Sequence, residues 1–347
     1  MLKVFLQPEP LTGTALKWAW VIILMTNVAQ AAGIVVIAHR GASGYLPEHT
    51  LEAKALAIGL GADFVEQDVV LTKDDVPIVT HDLTLGEVTD IEARFPGRAR
   101  ADGHYYAIDF TMAELRTVTR HERVKADGSR VFPQRYANST ARFAIVTLAE
   151  ELDFVQGVNH STGRNVGVYT EIKSPAWHRE QGKDITRIVL DMLARYGYTR
   201  RGDNMYLQCF DALELKRIRG DLKSDLKLIQ LIGENSWKES STDYDAMRTE
   251  RGIADVATYA DGVGPEISQL VVWPAKGGAP QIKPLGRIAR ANHLKMHPYT
   301  LRIDSLPENA PDVTAVLDAL VKQVKVDGVF TDFTDVVVRY QLRGKPQ

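Results

Sequence analysis

The stretch FVEQDVVLTKDDVPIVTHD, residues 64–82, decides the fold. Its apolar runs FVEQDVVL and VPIVTHD read as two strands. Only TKDD and its neighbours separate them. A parallel crossover normally needs a dozen or more residues. The pair is therefore either a hairpin or a tightly compressed crossing, and in both cases the two strands are neighbours. Further strands read as GIVVIA (33–38), NVGVYTEIK (165–173), NMYLQCF (204–210), LKLIQLI (226–232), YADGVGPE (259–266), HLKMHPYTLR (293–302) and VDGVFTDF (326–333). Amphipathic segments lie between most of them, among them TLEAKALAIGLGA (50–62), ITRIVLDMLARYGY (185–198), DALELKRIRG (211–220) and DVTAVLDALVKQVK (312–325). Strand then helix, repeated this often, implies a parallel sheet, and about eight or nine such strands favour a closed barrel. Thr50 is placed to cap the first helix, with Gly59 or Gly61 near its end.

A polar stretch from about Leu83 to Thr147, rich in Arg, Gly and Asp, interrupts the pattern and reads as an insertion on the loop side of the barrel. A second insertion runs from about Glu234 to Arg251. Ahead of the first strand, Lys3 and Lys17 precede the apolar run WAWVIILMTNVA (18–29) and the small-x-small triplet Ala29-Gln30-Ala31. That is the layout of a secretory signal cleaved after Ala31. The run is short against the roughly 20 residues of a membrane span. Residues 32–347 are expected as one exported, soluble barrel domain. The net charge of −2 gives no general attraction for nucleic acid or anionic lipid. Cys209 stands alone, cannot form an internal disulfide, and reads as a small buried hydrophobe.

Alternate residues of a strand share a face, so Glu66 and Asp68 point the same way, and so do Glu171 and Lys173. Buried carboxylates repel unless a cation joins them. Three from two strand ends suit a hard cation such as Ca²⁺ or Mg²⁺. A salt-bridged barrel interior explains the Glu-x-Asp pair alone equally well. His39 and His81 each follow an apolar strand, where barrel active sites are built. With Arg40 and Lys173 beside them, two imidazoles fit acid–base work on a phosphorylated substrate. No glycine-rich nucleotide loop, zinc spacing or serine nucleophile elbow is present.

The ordered set AHRGASGYLPEHTLEA, FVEQDVVLTKDDVPIVTHD, YTEIKSP, YLQCFDALELKRI, MHPYTLR and GVFTDF resembles the glycerophosphodiester phosphodiesterases, in particular the bacterial periplasmic type. The likeness extends to RFPGRARADGHYYAIDF and DFVQGVNHSTGRNVGVY, and so to nearly the whole chain after residue 31. It implies a distorted (β/α)₈ barrel with a small insertion near the active site. It implies hydrolysis of substrates such as glycerophosphocholine and glycerophosphoethanolamine to glycerol 3-phosphate and an alcohol. By the same resemblance Glu66, Asp68 and Glu171 would hold a divalent metal, Ca²⁺ in the periplasmic branch. His39 and His81 would serve as general base and acid, Arg40 and Lys173 would grip the phosphate, and Phe210 and Tyr299 would line the glycerol pocket. The expected route is attack by a glycerol hydroxyl through a cyclic phosphate, with direct attack by water as the alternative. Two positions depart from the usual family phrases: His49 stands for Asn in PEHT, and Cys209 for Ser in QCF. His49 is expected either to make a supporting hydrogen bond or to sit at the surface. Rival readings are a phospholipase C or D of the same barrel acting on intact lipid, and a non-catalytic binding protein for glycerophosphodiesters. The sequence leaves the oligomeric state open between a monomer and a homodimer.

Overall fold

A computed structural model describes residues 33–137 and 140–343. The expected signal segment, residues 1–31, lies outside the described residues. From Ile34 onward the chain forms one compact unit. Its strands are β1 (Val35–Ala38), β2 (Phe64–Leu71), β3 (Pro77–Val79), β4 (Gly167–Ile172), β5 (Met205–Cys209), β6 (Lys227–Ile232), β7 (Gly262–Pro265), β8 (Lys295–Met296) and β9 (Gly328–Thr331). The helices that link or follow them are α1 (Leu51–Gly59), α2 (Leu148–Thr162), α3 (Ile185–Arg195), α4 (Ala212–Gly220), α5 (Glu250–Val256), α6 (Leu285–Ala291), α7 (Val313–Asp318) and α8 (Thr334–Arg343). Hydrogen bonding runs β8-β7-β6-β5-β4-β2-β1-β9, all parallel, with β3 antiparallel on β2. The result is a nearly closed (β/α)₈ barrel.

The short link after β2 is a hairpin. Val69 faces Val79 and Leu71 faces Pro77. Thr72 closes the turn, accepting from Val76 N at 3.0 Å and donating to Asp74 Oδ1 at 2.7 Å. The strand expected over HLKMHPYTLR is reduced to Lys295–Met296. Pro298 has no N–H to give the ladder. The seam is instead drawn together by scattered bonds. His297 N and Tyr299 N donate to β7, while Asp327 N and Phe330 N donate to the carbonyls of Met296 and Pro298.

Helix α1 begins where expected, with Thr50 Oγ1 accepting from Ala53 N at 3.1 Å. The helix-facing sides of the strands carry Val36, Ala38, Val65, Val69 and Val168, which join the main core. The inward sides form an apolar floor of Ile37, Phe64, Tyr169, Ile229 and Phe330. Two residues further along the same strands stand His39, Glu66, Glu171, Leu231 and Asp332. The period of two thus lifts the interior from an oily floor to a polar layer at the C-terminal ends of the strands.

The segment after β3 is more than a polar loop. Leu85, Ile91, Tyr105, Phe110, Leu115 and Ile145 pack with Val70 and Ile78 of the hairpin into a second apolar cluster. Its chain returns to the barrel beside its exit, where Val79 N donates to Val146 O at 2.9 Å.

Candidate active site

The polar layer opens into a cavity of about 650 Å³ lined by His39, Arg40, Glu66, Asp68, His81 and Glu171, and also by Phe210 and Tyr299. Lys173 lies outside that lining, on an adjoining depression it shares with His81 and Asp82. All nine residues singled out in the sequence therefore converge. The local backbone explains part of this. After β1 the chain turns sharply, with Arg40 at φ +58° and Gly41 at φ +88°. A Cβ on Gly41 would sit 2.8 Å from the Ala53 carbonyl carbon, so α1 can approach only a glycine there. The turn aims Arg40 N at Glu66 Oε2, 2.7 Å away.

Each histidine is held by a carboxylate. His39 Nδ1 lies 2.6 Å from Asp332 Oδ1, and His81 Nδ1 lies 2.7 Å from Asp82 Oδ1. A carboxylate accepts, so in both rings Nδ1 carries the proton and Nε2 is left for chemistry. Burial, then the Arg40 charge, lowers the His39 pKa to about 4. Burial, Arg40 and Lys173 lower that of His81. Both rings are therefore neutral near pH 7. His81 Nε2 sits 3.4 Å from Lys173 Nζ, and Lys173 is paired with Glu171 at 2.9 Å.

Glu66 and Asp68 are almost fully buried, and Glu171 sits beside Asp68 across the β2–β4 ladder. Burial and the nearby Asp68 push Glu66 well above the usual carboxylate range. Burial drives Glu171 up to about 8 despite Lys173. Burial also works against Asp68, yet its hydrogen bond from His49 and the nearby His81 hold it well below that range. Two carboxyls forced toward neutrality around a third that stays charged are short of positive charge. An all-oxygen set of this kind fits a hard divalent cation. His49, Glu66 and Asp68 also bring one ligand atom each within 4.8 Å of one another.

His49 is not at the surface, which corrects one of the two expectations. It is fully buried with Nε2 2.8 Å from Asp68 Oδ2. Its φ of +58° is the left-handed region that Asn and His tolerate better than most residues, so the exchange with Asn leaves the backbone unstrained. Cys209 is buried as expected, and burial pushes its thiol well above the ordinary value, away from reactivity. Phe210 and Tyr299 meet edge to face with centroids 5.9 Å apart, and the Tyr299 hydroxyl donates to Ile232 O at 2.9 Å.

Several residues of the site were not singled out in the sequence. Glu48 takes both Arg40 Nη1 and Arg123, the latter from the segment after β3. Asp332 gathers His39, Arg135 and Arg302. The strand-end phrase GVFTDF contained the signal for Asp332, since it follows inward-facing Phe330 by two residues.

Residues 39–336 match the glycerophosphoryl diester phosphodiesterase family. The chain belongs to this family. It is 42% identical to a glycerophosphodiester phosphodiesterase of Haemophilus influenzae, over 91% of this chain and 92% of that one. Identity to a glycerophosphodiester phosphodiesterase of Treponema pallidum is 37%, over 96% and 99%. A crystal structure from Silicibacter pomeroyi superposes with a TM-score of 0.68 over 90% of this chain and 94% of that one, at 24% identity. A phosphodiesterase from Oleispira antarctica, solved with sn-glycerol 3-phosphate, gives a TM-score of 0.58 at 18% identity, over 88% and 96%. These two likenesses establish the fold. As a member of the glycerophosphoryl diester phosphodiesterases the chain is an enzyme, a hydrolase of phosphoric diesters, and the rival of a non-catalytic binding protein falls away.

Proposed function

We propose that the protein hydrolyses glycerophosphodiesters such as glycerophosphocholine and glycerophosphoethanolamine to glycerol 3-phosphate and an alcohol, using a divalent metal held by Glu66, Asp68 and Glu171. The observation that carries this reading is the pair of carboxylate-held imidazoles, His39 and His81, flanking Arg40 at the mouth of a buried carboxylate cluster. A hard cation there, Ca²⁺ or Mg²⁺, would supply charge neutralisation at the phosphate and acidify a bound oxygen. Arg40 and Lys173 offer fixed positive charge to the phosphate oxygens. His39, neutral and oriented by Asp332, takes the proton of the attacking hydroxyl on Nε2. The anionic phosphate draws Lys173 off His81 Nε2 and, with Asp82 on the other side of the ring, favours the imidazolium, so His81 takes a proton from solvent on Nε2 as substrate binds and gives it to the departing alcohol. Attack by the glycerol 2-hydroxyl would pass through a cyclic phosphate, which His39 and His81 then open with reversed roles. We place the reaction outside the cytoplasm, in the periplasm, after export directed by residues 1–31.

A coupled assay tests the reading. Glycerol 3-phosphate should appear from glycerophosphocholine, vanish after EDTA, and return with Ca²⁺ or Mg²⁺. His39→Ala should lower kcat by about 10²–10⁴-fold while leaving thermal unfolding within a few degrees. Full turnover in that variant would refute the assignment.

A further inference from the structure

In-line displacement sets the attacking oxygen and the leaving alcohol on opposite sides of phosphorus, so with the glycerol 2-hydroxyl attacking, the leaving alcohol points away from the glycerol hydroxyl and needs space of its own. Two cavities meet at the acid–base residues. The first is the carboxylate-lined one described above. The second, of about 260 Å³, shares His39, Arg40, His81 and Arg302 with it and continues past Glu48, Arg123, Val131, Phe132, Arg135 and Asp332. The depression beside Lys173 is a weaker candidate for that space, because it shares only His81 and Glu239 with the first cavity.

The second cavity has a distinct electrostatic character. Four guanidiniums line it against two carboxylates. Glu48 bridges Arg40 and Arg123, and Asp332 bridges Arg135 and Arg302. The other partners of these arginines, Asp68 for Arg40, Asp82 and Glu87 for Arg123 and Asp304 for Arg135, stand outside the lining. Phe132 closes one side, with the Arg135 guanidinium 3.6 Å from its ring centre. Guanidinium keeps its charge at every working pH. A cationic group entering here meets like charge, while a carboxylate or phosphate meets donors.

The geometry points to this second cavity as the subsite of the leaving alcohol, selective for alcohols that carry an anionic group over quaternary ammonium alcohols. The assignment deepens the hydrolase reading and rests on it. The segment between β3 and α2 supplies Arg123, Val131, Phe132 and Arg135, so it would set the selectivity of a reaction run by the barrel.

The test compares kcat/KM for three diesters of glycerol 3-phosphate, with choline, glycerol and glycerate as the leaving alcohol. Glycerate should exceed choline by about tenfold, the effect of one favourable charge contact in a partly screened site, and added salt should compress the ratio. Val131→Glu places a carboxylate in the cavity without removing an ion pair, and it should reverse the order. Arg123→Gln should bring the ratio toward one, while also lowering all three rates because Arg123 holds Glu48 and Asp82. Equal kcat/KM for the three diesters, or a preference for glycerate unmoved in both variants, would overturn the subsite and leave the hydrolase reading standing. No glycerol 3-phosphate from any diester would overturn both.

Discussion

Asp332 closes β9 with more positive charge around it than any single role requires. Burial opposes its ionisation, yet Arg302, His39 and Arg135 hold its carboxyl well below the usual range. It fixes the tautomer of His39 and therefore acts through that ring. Asp332→Asn can offer His39 Nδ1 a donor instead of an acceptor, which would turn the reactive nitrogen into the protonated one. The expected result is a fall in kcat of about 10²–10⁴-fold with little change in KM. Stability should also drop, by about 3–5 kcal/mol, as Arg135 and Arg302 lose a buried partner. Equal losses in kcat and 1/KM at unchanged pH profile would assign Asp332 a merely structural part. The reason His39 was recognisable and Asp332 was not is physical. His39 stood beside Arg40 in a phrase with recognisable chemistry, whereas the spacing from Phe330 shows which face Asp332 shares but not that an imidazole meets it there.

At the scale of the element, the segment between β3 and α2 repays attention to its charge state. Glu122 is buried, one of its oxygens has no hydrogen-bond partner, and burial raises its pKa to about 7. In the unfolded chain the same group titrates near ~4.3. Between those values the folded state keeps a proton that the unfolded chain has lost. Stability from this group is thus complete below about pH 4, falls as pH rises, and is fully forfeited above about pH 7. Glu122→Gln should leave urea stability unchanged at pH 4 and raise it at pH 8, on the order of 2–3 kcal/mol. A pH-independent difference would contradict the buried, proton-linked carboxyl. The composition of this segment pointed to an insertion but hid its core. Its apolar residues follow no regular period, and part of the cluster is contributed from outside it by Val70 and Ile78 of the hairpin.

Across the whole molecule, the barrel was legible because its strands are short, largely apolar runs that alternate with helices. The seam at β8 was less legible, since Pro298 breaks the ladder where the chain still runs extended. At that seam Gly328 packs so closely that an added Cβ would lie 2.9 Å from Val35 Cβ and from His297 Cδ2. Gly328→Ala should therefore destabilise the entire barrel by about 1–3 kcal/mol, seen as an earlier urea midpoint at which activity and circular dichroism are lost together. Separate transitions would show that the seam unfolds on its own. The exit and return of the segment after β3 carry a different consequence. Because Val79 and Val146 are hydrogen-bonded neighbours, the barrel sees the intervening chain as one short bridge whatever its length. Such a cassette can be rewritten with little effect on barrel closure or chemistry where its apolar contacts to Val70 and Ile78 and the ion pairs of Arg123 and Arg135 are kept. A single scaffold with constant chemistry could then be fitted to new alcohols by grafting one contiguous piece of sequence.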